Sequence, residues 1–286
     1  MIMIRHVRLL EGFGYVSRKD KEGKPENPQL YKNLVGKTFE FFPDKVNIIF
    51  GPNGSGKTTL LRAMAGMVGC EDGFTKKIKW ISDDKDPREV ILGKYKELAK
   101  NEIALDWDGA PVYYENFRDT LENRSYGSIG DLEGSVLRDG MEEISYIFNK
   151  SRISEGQKSL YFLSQVCKIF EKDKPSWEQI LKGASEKQLE YHKALIEEGA
   201  ETYTLLLDES ERSFDIEKQI SFLCRALPNM MRMFGIQIIA ISHNHLILSD
   251  KIFENPVYNI ISLDQEYTET SRKYLKKLWQ TEYSEG

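Results

Sequence analysis

Val46-Asn-Ile-Ile-Phe-Gly-Pro-Asn-Gly-Ser-Gly-Lys-Thr-Thr-Leu-Leu-Arg62 decides the fold of this chain. Val46 to Phe50 is a short apolar run, the pattern of a strand buried on both faces of a parallel sheet. Gly51 to Lys57 follows as a loop, and Thr58 opens a helix. Gly51-x-x-x-x-Gly56-Lys57-Thr58 is a complete phosphate-binding loop. Its glycines let successive backbone N–H groups curl around an anion without Cβ clashes. The helix behind them adds the partial positive charge of its N-terminus. The expected nucleotide-binding residues are therefore Asn53, Gly54, Ser55, Gly56, Lys57, Thr58 and Thr59. Lys57 can reach the β- and γ-phosphates, and the Thr58 hydroxyl can hold Mg²⁺.

Outward from this stretch, strands alternate with helices. Leu60, Leu61, Met64, Ala65 and Val68 form an apolar stripe at helical spacing. Met1 to Gly12 alternates like a half-buried strand, and Phe39-Glu-Phe-Phe42 is a second short strand. The charged stretch from Ser17 to Gln29 reads as an exposed loop. Lys76 to Ile81 and Pro111 to Glu115 read as strands, and Pro87 to Asn101 as an amphipathic helix. Residues 154–171 are expected to form a helix with Ser154 as N-cap and Leu160, Phe162, Leu163, Val166, Ile169 and Phe170 as its apolar face. Tyr203 to Asp208, Ile236 to His243 and Val257 to Leu263 are further strands, with a helix over Ile216 to Met233 and a charged helix at the C-terminus. The pattern predicts an α/β fold with a mainly parallel core sheet and an antiparallel N-terminal β part.

Composition narrows the class. The chain has 286 residues and a net charge of -5, so no global field draws it to nucleic acid or to acidic membranes. A local nucleic-acid contact stays open but is not indicated by charge. No apolar run approaches the roughly 20 residues of a membrane span. Cys70, Cys167 and Cys224 are isolated, which predicts free, buried thiols in a reducing, cytoplasmic setting.

Three further elements carry chemistry. Leu205-Leu-Leu-Asp208-Glu209 is a strand ending in two acids, at the end of a strand where open α/β sheets bind ligands. Asp208 is the expected Mg²⁺ holder beside Thr58, and Glu209 the expected general base toward water. Ile241-Ser242-His243 ends another buried strand, where an imidazole can touch the γ-phosphate and the water near Glu209. His245 lies two residues on, but no further His or Cys cluster completes a metal site. Ile153-Ser154-Glu155-Gly156-Gln157 combines a hydroxyl, a glycine N–H and a helix start into a second anion site.

Taken in order, these motifs resemble the ATP-binding cassette (ABC) ATPase superfamily, over almost the whole chain. Gly51 to Thr58 is similar to its Walker A, Leu205 to Glu209 to its Walker B with catalytic glutamate, and Ile153 to Gln157 to its Leu-Ser-Gly-Gly-Gln signature. Asp208 to Asp215 resembles the Asp-Glu-Pro-Thr-Ser-Ala-Leu-Asp run, which makes Asp215 the D-loop aspartate and His243 the switch histidine. The style of the Walker A is closer to soluble SMC/RecF-type "AAA family" ATPases, some of which work with an effector in phage defence, than to transporter subunits. The resemblance implies a P-loop ABC ATPase head with a helical signature lobe, in one domain over 1–286. Its nucleotide-binding lobe comprises 1–110 and 201–286, and its signature lobe 111–200, including an insertion at 172–200. It implies ATP and Mg²⁺ as cofactors, catalysis by Glu209, His243 and Lys57, and an ATP-dependent head-to-tail homodimer. In that dimer Ser154, Glu155, Gly156 and Gln157 face the partner's ATP, and a protein effector reads the closure. An ATP-gated scaffold with slow turnover, or the nucleotide-binding subunit of a membrane transporter, are the alternatives. Two departures stand out. No glutamine occurs between Gln29 and Gln157, so Asn116 is the best stand-in for the Q-loop residue, and Glu155 replaces the first signature glycine.

Overall fold

A computed structural model describes residues 4–13, 19–67, 103–107, 112–116, 125–127, 204–212 and 214–282. In chain order the elements are β1 (Ile4–Leu9), α1 (Pro28–Leu34), β2 (Thr38–Glu40), β3 (Val46–Phe50), α2 (Lys57–Met67), β4 (Ile103–Trp107), β5 (Val112–Asn116), β6 (Ser125–Gly127) and β7 (Thr204–Asp208). Then come α3 (Ile216–Ser221), a π-helical turn (Phe222–Ala226), α4 (Leu227–Phe234), β8 (Gln237–Ile241), a 3₁₀ turn (His245–Leu248), α5 (Asp250–Phe253), β9 (Tyr258–Ser262) and α6 (Gln265–Glu282). The expected strand at 76–81, the helices at 87–101 and 154–171, the insertion at 172–200, and Cys70 and Cys167 lie outside the described residues.

Six strands form the main sheet in the order β6-β5-β7-β8-β3-β9. All neighbours are parallel except β6, which runs antiparallel to β5. The apolar strands feed two cores, because successive side chains leave a strand on opposite faces. Ile49, Leu206, Ile239 and Ile241 join Leu60, Leu61 and Met64 of α2 on one face. Ile48, Phe50, Leu205, Leu207 and Ile238 join Leu223, Leu227 and Met230 on the other. Each such fully buried side chain contributes about 1.5–3 kcal/mol relative to exposure. That double burial is why these strands read as continuous apolar runs rather than alternating ones.

A second, antiparallel sheet has the order β2-β1-β4. Ile4, Val7, Leu9, Phe39 and Ile103 bring it into the α2 core. Gln237 joins the two sheets: its side-chain amide donates to Ile4 O at 2.7 Å and its carbonyl accepts from Ile4 N at 3.1 Å. The α/β architecture, parallel core and antiparallel N-terminal part are as the sequence predicts.

Three details differ from the sequence reading. The charged loop ends earlier than expected, because Pro28 already begins α1. Asn27 caps that helix by accepting from Leu30 N at 3.1 Å, with Pro28 in its first turn. β5 and β6 pair into the main sheet, so both strands sit with the nucleotide-binding strands and not with a helical lobe beginning at 111. Cys224 is a free thiol but exposed, because the π turn places it on its outer side while Phe222 and Leu223 go inward. Tyr258 fastens that turn by donating its hydroxyl to Leu223 O at 2.7 Å, and burial pushes the phenol up to about 12.

Candidate functional site

Parallel pairing brings three strand ends to one edge. β8 lies between β7 and β3. The phosphate loop leaves β3, Ser242-His243 leaves β8, and Asp208-Glu209 ends β7, so the three segments meet where ligands bind in open α/β sheets. They border a cleft of about 810 Å³, whose lining includes Asn53, Lys57, Thr58, Glu209, Arg212 and His243.

The loop is shaped for close approach. Gly54 and Gly56 have φ of +77° and +101°, a region open to glycine and strained for other residues. At Gly56 packing adds a second demand: a Cβ would lie 2.6 Å from Cδ1 of both Leu30 and Leu34. α1 thus forms the backing of the loop. Its buried Asn33 also donates to Ser55 O at 3.2 Å and accepts from Gln29 at 3.1 Å. Sequence reasoning misses this support. The signal for it is Asn27-Pro28 with Leu30 and Leu34 four apart, a cap followed by one apolar stripe. Of the expected nucleotide residues, Asn53, Gly54, Gly56, Lys57, Thr58 and Thr59 line the cleft, whereas the Ser55 hydroxyl is buried away from it.

Lys57 is 4% exposed, and its ammonium donates to Gly51 O at 2.7 Å and Pro52 O at 2.9 Å. Those carbonyls stabilise a buried charge at the floor of an anion cradle. The Thr58 hydroxyl donates to Asp208 Oδ1 at 3.4 Å, and Asp208 is fully buried. A hydroxyl and a buried carboxylate side by side are the hard oxygen donors that suit Mg²⁺.

Glu209 has φ of +57°, in the left-handed region that a non-glycine residue enters at a cost and that clusters at functional sites. Its Oε1 lies 2.7 Å from His243 Nε2 and its Oε2 3.5 Å from an Arg212 nitrogen. The sequence reading puts His243 at the γ-phosphate and the water near Glu209; here its ring lies directly on the Glu209 carboxylate, and the Arg212 contact is one that reading misses.

It misses Glu211 as well. That residue is buried, borders the cleft and hydrogen-bonds the Ser242 side chain. Burial raises its pKa above the ordinary 4.5, and the nearby Glu209 charge adds to this, while Ser242 and His243 oppose it. A raised carboxyl keeps its proton in the fold after the unfolded chain has released it. Stability therefore falls as pH rises from the ordinary carboxylate range up to the raised value. Glu211→Gln, a neutral isostere, is expected to raise the melting temperature of the nucleotide-free protein near neutral pH, with a gain that shrinks toward pH ~4. Thermal melts across this range check it; a gain independent of pH contradicts it.

Asp215 is exposed and caps α3, pairing with the Lys218 ammonium and accepting from Lys218 N at 2.9 Å, which together hold its carboxyl below the usual range. Asn116 ends β5 in register with Asp208, so the Q-loop stand-in belongs to the strand beside the acidic pair. His245 contacts the Tyr267 hydroxyl at 2.9 Å and stacks edge-on against Phe50. Ser154, Glu155, Gly156 and Gln157 lie outside the described residues.

Comparison with known proteins agrees with this geometry. A family profile described as an AAA domain matches residues 29–280. The chain is 26% identical over 186 residues to the hemin import ATP-binding protein HmuV of Agrobacterium fabrum, covering 63% of this chain and 59% of that protein, less than two thirds of its length. It is 20% identical over 273 residues to the oligopeptide transport ATP-binding protein OppF of Haemophilus influenzae, covering 93% of this chain and 74% of that protein. A phosphate loop backed by α1, an acid pair beside it and a profile match spanning most of the sequence lead to one assignment: the chain belongs to the AAA domain family, among the ABC-type, SMC/RecF-like ATPases.

Proposed function

We propose that this chain is an ATPase that hydrolyses ATP to ADP and phosphate with Mg²⁺, and that two copies close head-to-tail around the nucleotide. Its family and its relatives named as ATP-binding proteins support ATP binding and hydrolysis. The observation that carries the finer reading is the Glu209 carboxylate, held 2.7 Å from His243 in the cleft that Lys57 and Thr58 also line. Backbone N–H groups of the loop and Lys57 hold the β- and γ-phosphates. Glu209 accepts the proton of the attacking water, and His243 orients the carboxylate. Mg²⁺, when bound by Thr58 and Asp208, neutralises charge on the phosphates. The Ser154–Gln157 segment then serves the partner's nucleotide.

Phosphate release assays with and without Mg²⁺, and light scattering with a non-hydrolysable imido analogue of ATP, test this together. We expect Mg²⁺-dependent turnover and a dimer with the analogue but not with ADP, because only the γ-phosphate distinguishes the two states. A persistent monomer with active turnover rejects the closure.

A second reading, the ATP-binding subunit of a transporter, is favoured by the relatives' names, which are transport proteins. Against it stands the absence of a glutamine between Gln29 and Gln157, since the resemblance ties that glutamine to coupling with membrane domains. Among the described residues no helix is long and apolar enough to cross a membrane. Co-purification with an integral membrane protein separates the readings. Effector coupling, including a role in phage defence, is the remaining part of the proposal.

A further inference from the structure

We propose that Arg212 is a γ-phosphate ligand supplied from the same chain: it rests on Glu209 until a triphosphate enters the cleft and then transfers to the terminal phosphate. This inference rests on the ATPase reading above and adds a residue that determines selectivity for triphosphate over diphosphate.

The sequence supplies the residue in an unexpected place. Where the run resembling Asp-Glu-Pro-Thr-Ser-Ala-Leu-Asp has small residues, this chain reads Asp208-Glu-Ser-Glu211-Arg212-Ser-Phe-Asp215. The local fold then aims it. Arg212 N donates to Glu209 O at 3.1 Å and Phe214 N to Glu211 O at 3.0 Å. These two tight turns bend the chain back on itself just after the acid pair. The result is that Arg212 faces the cleft that Lys57, Thr58 and His243 also line.

Its contact with Glu209 is a weak one. The guanidinium is 3.5 Å from Glu209 Oε2, beyond ordinary hydrogen-bond length, and the side chain is 59% exposed. Glu209 itself is buried, but at this distance the exposed guanidinium makes no direct hydrogen bond to it, so Arg212 gives up less on leaving than a bonded partner would. Glu209 keeps its shorter contact with His243 when Arg212 leaves. A terminal phosphate offers more: extra negative charge and oxygens spaced for bidentate guanidinium pairing. The transfer exchanges a weak contact for a charge-assisted one and withdraws a cation from the carboxylate that must accept a proton. A diphosphate, lacking the terminal group, gives no such exchange.

The test is nucleotide discrimination. Dissociation constants for the imido analogue of ATP and for ADP, each with Mg²⁺, are measured by calorimetry on the full chain and on Arg212→Ala and Arg212→Lys. Loss of one charge-assisted contact is expected to weaken the analogue by about ten- to a hundredfold in Arg212→Ala and to change ADP by less than about twofold. Arg212→Lys should recover part of the loss, since it keeps the charge but not the fork. Equal weakening of both nucleotides, or of neither, overturns the proposal. The exposed position makes misfolding of these variants a minor concern, and matching melting curves establish that. If the parent chain binds neither nucleotide, this proposal and the ATPase reading both fall. If Glu209→Gln turns over normally while Arg212→Ala loses discrimination, the general-base assignment falls and Arg212 stands.

Discussion

Glu209→Gln is expected to bind ATP with near-normal affinity and to hydrolyse it about 10²–10⁴-fold more slowly. The substitution is close to isosteric, and glutamine tolerates the left-handed backbone at φ +57° no worse than glutamate does. Its amide oxygen can still accept from His243, so the imidazole stays where it is. What it lacks is a lone pair basic enough to take a proton from water as that water attacks. It also loses the charge that Arg212 contacts. The phosphate loop, Lys57 and the Thr58–Asp208 pair are untouched, so binding survives and only the chemical step suffers. A fall in kcat at unchanged or lower KM is the signature of an interaction made in the transition state. If two copies close on ATP, the slow variant should also accumulate as a dimer with ATP and Mg²⁺, seen by light scattering. Wild-type kcat in this variant would remove Glu209 from the chemistry altogether.

The residues that can be read in advance share one property: a local pattern fixes their place. The apolar run before Gly51 and the one before Asp208 specify buried strands, and parallel pairing then brings their ends together without help from the segments between. That is why Lys57, Thr58, Asp208, Glu209 and His243 are legible from pattern and spacing. Arg212 and Glu211 are not, because their orientation comes from a two-turn bend after a left-handed residue, and a charged residue in a loop ordinarily reads as solvated surface. α1 hides for a related reason. At seven residues it is too short to show much periodicity, and it begins inside a charged, proline-containing stretch. Its Leu30 and Leu34 are legible as core only once Gly56 is seen to lie against them. Val112-Tyr-Tyr-Glu-Asn116, with a single aliphatic residue, does not announce which sheet it joins; that is decided by its partner β7. Asp215 shows the limit from the other side. Its capping of α3 explains why an aspartate is favoured there without any nucleotide.

Lys57→Ala is the more severe change, and it should remove ATP binding at sub-millimolar concentrations. The ammonium sits at the base of the loop, bonded to Gly51 O and Pro52 O, two carbonyls of the cradle itself. Before nucleotide binds, those bonds stand in for water around a buried cation and offset the mutual repulsion of the loop's carbonyl dipoles. With nucleotide present, the ammonium's three donors are available to β- and γ-phosphate oxygens. Losing two charge-assisted contacts costs about 3–6 kcal/mol, or two to four powers of ten in affinity. Part of any effect in the alanine variant will come from the space left by a side chain that is 4% exposed. Lys57→Met separates the two causes, since it keeps the stem's packing and removes only the charge and its donors. Both variants are expected to melt cooperatively and to show no nucleotide-dependent shift in melting temperature, whereas the parent shifts upward with ATP and Mg²⁺. A methionine variant that still gains stability from ATP would mean that the loop's N–H groups suffice to hold the phosphates, and Lys57 would then be a structural cation rather than a phosphate ligand.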